Sequence, residues 1–277
     1  MTSVTQWKTA LSTNCIEAEH LTFCHSVGIE AIEVSMSKAF YDGVDWAQLQ
    51  KDACQAHIEL WSLHLPFSME INIAAPEEEK RCSAVQIHID LMQKASAIGI
   101  TRFIVHPSAE PIADEERPLW MAAACRSLQE MADAAEKLGC VVCVEDLPRT
   151  CLGHTAAEML ELLAADERLR VCFDVNHLLT FYGTTHLEFV EKLGDKIITT
   201  HMSDYDFADE KHFFPGNGLL NWNEVITALE ENGYSGPFLF EGGFAPSRWM
   251  PEVPFGKIEE AHERHMNIKS FCGRSAL

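Results

Sequence analysis

The chain has 277 residues, of which 47% are hydrophobic and 23% charged, and its 21 Lys and Arg stand against 42 Asp and Glu for a formal charge of −21. A nucleic acid or an anionic membrane surface must be met by a basic face, so this excess of acid argues against both as partners. No stretch approaches the roughly 18 apolar residues of a membrane span, and Met1 to Ala10 lacks the continuous apolar run of a signal peptide.

Taken in chain order, short β-branched or apolar runs alternate with helical stretches. Strands are predicted at 7–11, 29–34, 60–65, 102–106, 141–145, 170–174, 196–201 and 237–241. A helix over 77–98 opens with acids in its first turn, which suits the helix dipole, and stops at Gly99. A second, over 119–138, follows Pro118 and ends at Gly139. A third spans 222–232 and ends at Gly233, and a fourth near 257–270 is polar on one face, so that His262 and His265 read as solvated. Eight strands alternating with helices, with no linker-like stretch, predict one α/β domain over 1–277, a closed (β/α)8 TIM barrel. An open doubly wound sheet has fewer strands and often a glycine fingerprint; Gly216-Asn217-Gly218 lacks the third glycine and follows no strand. The ten Cys lie mostly inside apolar runs (Cys125, Cys140, Cys143, Cys172) and read as buried, reduced thiols of a cytoplasmic protein. Cys140 and Cys143 are three apart on a predicted strand and point to opposite faces, so they make no redox pair.

The acids and histidines fall at a repeated place. Glu33, His64, His106, Glu145, Asp174 and His201 each stand at or one residue from a predicted strand end, and Glu241 does so on the eighth strand. In a barrel those ends converge on one mouth, where active sites are built. Carboxylates and imidazoles carried there by apolar strands are costly to bury without a partner, and a divalent cation is such a partner. A lone strand-end Glu or His is more often a loop cap than a ligand; seven at one relative position are hard to explain that way. Oxygen and nitrogen donors without Cys suit Mn²⁺, Co²⁺, Mg²⁺ or Zn²⁺ and disfavour a structural zinc. His177, three residues past Asp174, and His212, in the loop after the seventh strand, can return over the mouth or stay on the surface.

These segments, His64-Leu-Pro-Phe, Phe103-Ile-Val-His106-Pro-Ser, Val144-Glu145-Asp-Leu-Pro-Arg-Thr, Cys172-Phe-Asp174-Val-Asn-His177 and Thr200-His201-Met-Ser-Asp204, resemble the xylose-isomerase-like TIM barrels. Pro215-Gly-Asn-Gly218 to Trp222 and Gly236-Pro-Phe-Leu-Phe-Glu241 complete a resemblance that spans nearly the whole chain. It implies a metal-dependent sugar or sugar phosphate isomerase or epimerase working through an enediolate. One divalent metal would be held by Glu145, Asp174, His201 and Glu241. Glu145 and Glu241 would double as the acid/base pair on opposite faces of the reacting carbon, and His177 would bind or orient a substrate oxygen. The chain departs from the ketose epimerases in carrying no Arg a few residues after His201, where it reads Met-Ser-Asp204-Tyr-Asp206-Phe.

A second branch of the same superfamily, the endonuclease IV-like phosphodiesterases, implies a multi-zinc site with extra ligands at His64, His106, His177 and His212. Their Asp-x-His pair appears here as Glu210-Lys-His212, one methylene longer, and the −21 charge separates this chain from DNA. Dehydratases or lyases on a keto sugar or polyol would use the same residues. A third class, a metal-binding subunit without chemistry, leaves the flanking Glu145 and Glu241 unexplained. Arg149, Lys211 and Arg248 follow strands five, seven and eight, where each can meet a phosphate or pair with a loop acid; Arg149 and Arg248 join Glu33 as further substrate contacts. Trp249-Met250-Pro251 is placed to cover a mouth, its own or that of a neighbouring subunit in a homo-oligomer.

Overall fold

The computed structural model describes residues 7–178, 183, 185–244 and 255–272, the side chains of 270–272 excepted. Its strands are β1 (Thr9–Thr13), β2 (Ala31–Ser35), β3 (Glu59–His64), β4 (Arg102–Val105), β5 (Val141–Glu145), β6 (Arg170–Asp174), β7 (Ile197–His201) and β8 (Phe238–Phe240). Among the described residues the helices are α1 (Ala18–Ser26), α2 (Lys38–Tyr41), α3 (Trp46–Ala56), α4 (Glu78–Ser96), α5 (Arg117–Lys137), α6 (Ala156–Leu163), α7 (His186–Leu193), α8 (Trp222–Glu231) and α9 (Ile258–Cys272). The strands form one parallel sheet in the order β7-β6-β5-β4-β3-β2-β1-β8. The sheet closes where Met202 N donates to Leu239 O (2.8 Å) and Glu241 N to Met202 O (3.3 Å). The result is the predicted TIM barrel, with the order of elements and the extents of β5 and β6 as expected.

Strand alternation sorts the side chains. Leu11, Ile32, Val34, Val142, Val144, Val171 and Phe173 point out into the large core between sheet and helices. The residues between them point in, and low in the barrel they form two small buried clusters, Ala10 with Ala31 and Leu239, and Ile104 with Cys143 and Cys172. Trp61 packs on the first cluster and donates from Nε1 to Thr199 Oγ1 (3.1 Å). Two residues further along the same inward face come Glu33 above Ala31, Glu145 above Cys143, Asp174 above Cys172 and His201 above Thr199. Period two thus stacks apolar filler below and charge above.

Helix starts fix where the mouth loops end. Thr155, Thr185 and Asn221 accept from the backbone N–H of Glu158, Glu188 and Glu224, capping α6, α7 and α8. α5 begins at Arg117, two residues before the predicted start, because proline suits the first turn of a helix and Pro118 lies inside it. No helix among the described residues is long and apolar enough to cross a membrane. Free thiols include exposed Cys15, Cys54 and Cys82 beside buried Cys24, Cys143, Cys151 and Cys172, so burial holds for part of the set.

One sequence expectation is corrected on α9. His265 is fully buried, its Nδ1 2.8 Å from Thr9 Oγ1 and its ring stacked on Phe238; half-buried His262 also reaches Thr9 Oγ1, at 3.0 Å. An imidazole with a hydroxyl partner is nearly apolar, and α9 needs an inward face against β1 and β8.

Candidate metal centre

Glu145, the last residue of β5, is the hub of the mouth. Its Oε2 meets His64 Nε2 at 3.0 Å and His106 Nε2 at 3.2 Å, and its Oε1 meets His201 Nδ1 at 3.0 Å and His177 Nδ1 at 3.6 Å. Three of the four rings have a second partner. His64 Nδ1 donates to Leu65 O (3.0 Å) and His177 Nδ1 to Asp146 O (2.7 Å), while His201 Nε2 meets Glu33 Oε1 (3.0 Å). Glu33 is itself fully buried and takes hydroxyl bonds from Ser12 (3.0 Å) and Ser62 (2.7 Å). A carboxylate anchoring the far nitrogen of an imidazole is the arrangement that orients metal-ligating histidines.

Three groups of ligand-type side chains result, each with its donor atoms within 4.8 Å of one another: Glu145, Asp174, His201 and Glu241; His64, His106 and Glu145; and His177, Glu210 and His212. Glu145 belongs to two of them. In the first, Asp174 Oδ2 and Glu241 Oε2 are buried without a hydrogen-bond partner among the described residues. Buried carboxylate oxygens left unpaired are costly, and three carboxylates with one imidazole suit a divalent cation of the Mn²⁺, Co²⁺, Zn²⁺ or Mg²⁺ type. The residues therefore fit the metal that the sequence resemblance implies.

The carboxylates differ electrostatically. Burial works to raise the proton affinity of Glu145, yet His201 and His106 hold it well below the usual carboxylate range. At Glu241 burial prevails, aided by Asp174 and Glu145, and the value is pushed up to about 7 despite His201 and His212. Burial together with nearby Asp174 and Glu145 also raises Asp146 well above its ordinary value; its Oδ1 accepts from Asp174 N at 2.8 Å.

The loop after β7 is latched by Asp204, which accepts from Tyr205 N, Gly216 N, Leu220 N and Trp222 Nε1 at 2.8 to 3.1 Å. Gly218 sits so close that a Cβ there would meet Asp204 Oδ1 at 2.2 Å and Tyr205 O at 2.4 Å, so the glycine is needed for packing and not for a phosphate. This latch delivers His212 and Glu210. A cleft of about 680 Å³ opens beside the first ligand group, lined by Ser12, Thr13, Asn14, Ser35, Lys211, His212, Glu241 and Phe244 among others. Its size lies in the range of small-molecule sites. On the opposite side Phe67, 53% exposed, stacks on His106 with ring centroids 3.6 Å apart.

Every predicted mouth residue that the structure describes is thus drawn into one network. Arg149 joins it indirectly: its guanidinium is taken up by Glu110, Asp209 and Glu210. Arg248 and Trp249-Met250-Pro251 lie outside the described residues. Sequence reasoning passed over Asp146, Asp204, Ser12 and Ser62. Asp146 was signalled by its place beside Glu145, and Asp204 by the Gly216-x-Gly218 spacing it explains; the two serines carry no local signal.

Comparison with known proteins agrees with this architecture. An uncharacterized protein of Methanocaldococcus jannaschii is 31% identical over 193 residues, 65% of this chain and 63% of its own length. The chain spans about six-tenths of the length of the first curated relatives it matches. A D-psicose 3-epimerase of Ruminiclostridium cellulolyticum is 25% identical over 246 residues, covering 82% of this chain and 81% of its own. A probable endonuclease 4 of Geobacter sulfurreducens is 26% identical over 169 residues, covering 54% and 56%. Among solved structures a D-tagatose 3-epimerase-like protein superposes with a TM-score of 0.79 at 22% identity, over 98% of this chain and 100% of its own. The sequence profile of the xylose isomerase-like TIM barrel matches residues 21–257, and the chain belongs to that family.

Proposed function

We propose that the chain is a divalent-metal-dependent isomerase or epimerase of a carbohydrate, acting by proton transfer at a carbon next to a carbonyl. One observation carries this reading: three carboxylates and one imidazole, Glu145, Asp174, Glu241 and His201, present donor atoms within 4.8 Å of one another, and buried oxygens of Asp174 and Glu241 have no hydrogen-bond partner among the described residues. Two carboxylates at one cation site are the groups that acid/base chemistry next to a polarised carbonyl uses. Glu145, Asp174, His201 and Glu241 would hold the cation, which when bound supplies the positive charge that polarises the carbonyl. Glu145, ionised, accepts the proton from carbon. Glu241 returns one from the other side. Glu33 holds His201 in place, and His177 is positioned to orient a substrate oxygen. The cleft beside Glu241 offers the polar side chains of Thr13, Asn14, Ser35 and Lys211 to a polyhydroxylated substrate.

The test is solvent deuterium incorporation into a panel of ketoses and sugar phosphates after loading with Mn²⁺, Co²⁺ or Mg²⁺. Metal-dependent incorporation supports the reading; a metal-loaded protein that exchanges no proton on any of them overturns it. A second reading is favoured by the presence of three ligand groups where one would serve an isomerase: a multi-metal phosphodiesterase. Metal analysis separates the two, since one ion per chain supports the isomerase and two or three zinc ions with cleavage of abasic-site DNA support the phosphodiesterase.

A further inference from the structure

We infer that Arg149 is a positioning residue that sets Glu210 as a cation ligand against His177 and His212. The inference rests on the second, multi-metal reading above, because it needs a cation beyond the one that Glu145, Asp174, His201 and Glu241 would hold. Arg149 lies in the loop after β5, with its backbone in the left-handed region (φ 54°). A non-glycine residue there is strained, and such strain persists where surrounding contacts over-determine it. Those contacts are three carboxylates from two other mouth loops. Nε and Nη2 donate to Glu110 Oε1 at 2.8 and 2.6 Å, and Nη1 donates to Asp209 Oδ1 at 3.0 Å and to Glu210 Oε2 at 2.9 Å. Glu110 is steadied in turn by Thr150 Oγ1 (3.2 Å).

The two oxygens of Glu210 are divided. Oε2 belongs to Arg149, while Oε1 faces His212 Nε2 at 2.9 Å and His177 Nε2 at 3.7 Å. One carboxylate oxygen is therefore presented to two imidazoles whose other nitrogens are engaged, His177 Nδ1 by Asp146 O (2.7 Å) and His212 Nδ1 at 3.3 Å from Ser203 Oγ. His212 is also held at positive φ (46°), and Lys211 N donates to Asn176 Oδ1 at 3.1 Å, so the chain that follows Glu210 is pinned. A Glu side chain has one more rotatable bond than an Asp and would otherwise sample several places; the guanidinium fork removes that freedom. A purely structural ion pair would not need to turn the second oxygen toward two histidines.

Charge and geometry make opposite predictions, and this makes the inference testable. Arg149 as a mere positive charge would repel a bound cation; Arg149 as a positioning group would help it bind. The experiment is titration of metal-free protein with Co²⁺, followed by its visible absorption bands and by equilibrium dialysis, for the wild type, Arg149→Lys, Arg149→Met, Glu110→Gln and His212→Ala. The expected wild type binds at least one Co²⁺ more than His212→Ala, which marks the site in question. Arg149→Lys keeps the charge but loses the fork, and its dissociation constant for that cation rises about 10- to 100-fold, with the remaining binding unchanged. Glu110→Gln, which keeps Arg149 and takes away its anchor, moves the same constant the same way by less. The inference is overturned if Arg149→Lys titrates as wild type, if Arg149→Met binds that cation more tightly, or if wild type and His212→Ala bind the same number of ions. Absence of all Co²⁺ binding would instead remove the metal-binding reading itself, and this inference with it.

Discussion

Two buried histidines, His201 at the mouth of the barrel and His265 at its base, are treated in opposite ways. At the mouth His201 stands between Glu33 and Glu145, each 3.0 Å away, and those acids with Cys172 and Glu241 drive its proton affinity well up against the effect of burial. At the opposite end, where β1 and β8 begin, His265 meets a threonine hydroxyl and the ring of Phe238. There burial, with help from Lys269 and His262, lowers the value to about 3. The unpaired buried atoms differ likewise. Near the mouth they include carboxylate oxygens of Asp174 and Glu241; at the base there is a ring nitrogen, His265 Nε2. One fold thus gathers networked charge at one end and neutral packing at the other. Burial of a histidine by itself says nothing about function; the company it keeps does.

The largest expected effect that would break this contrast is at the hub. Glu145→Gln should lower turnover and proton exchange by about 10²- to 10⁴-fold, the range of general acid–base catalysis, while leaving the fold intact. Parallel measurement of exchange rate and circular dichroism checks it, and a Gln variant that still exchanges protons would sink the acid/base assignment. Next comes the anchor behind His201. Glu33→Gln should weaken cation affinity about 10- to 100-fold, read by competition with a chelator. An unchanged affinity would mean that the two serines and the barrel wall hold the ring without the carboxylate.

At the base, the pH dependence of stability sharpens the contrast. The folded state lowers the His265 value from 6.5 to about 3 and so favours the neutral ring. Its contribution is complete above about pH 6.5 and is lost as pH falls from there toward 3, because the unfolded chain takes up the proton first. Urea unfolding at pH 7 and pH 4.5 should therefore show a smaller acid-induced loss in His265→Leu than in wild type; equal losses would show that the ring does not titrate with unfolding. The smallest effect is expected at Lys269, whose ammonium lies 4.3 Å over the Trp7 ring and 3.2 Å from Glu230. Lys269→Met should cost about 0.5 to 1 kcal/mol by chemical denaturation and leave cation binding untouched.

Much of this was legible in one dimension. β5 and β6 run over their predicted residues because a run such as Val141-Val-Cys-Val-Glu145 states its own period: valines outward, cysteine inward, and the acid at the inward end. Chain order then puts the strand ends on one rim, so seven acids and histidines could be grouped without coordinates, and the set Glu145, Asp174, His201 and Glu241 among them is what the family resemblance implies. Other features needed the register between distant segments. Ser12 and Ser62 serve Glu33 only because β1, β2 and β3 pair in parallel as they do, with a bulge that sets Ser62 opposite Glu33. Arg149 reads in the sequence as a loop cation open to a phosphate or to a loop acid, and only three converging loops show that acids take it. His265 reads as a polar residue on an amphipathic helix, since an imidazole gives no local sign of which face it belongs to. Local periodicity is written by covalent neighbours, and sequence alone determines it. Which acid neutralises which base is decided by loops closing across the barrel, and that only the tertiary structure supplied.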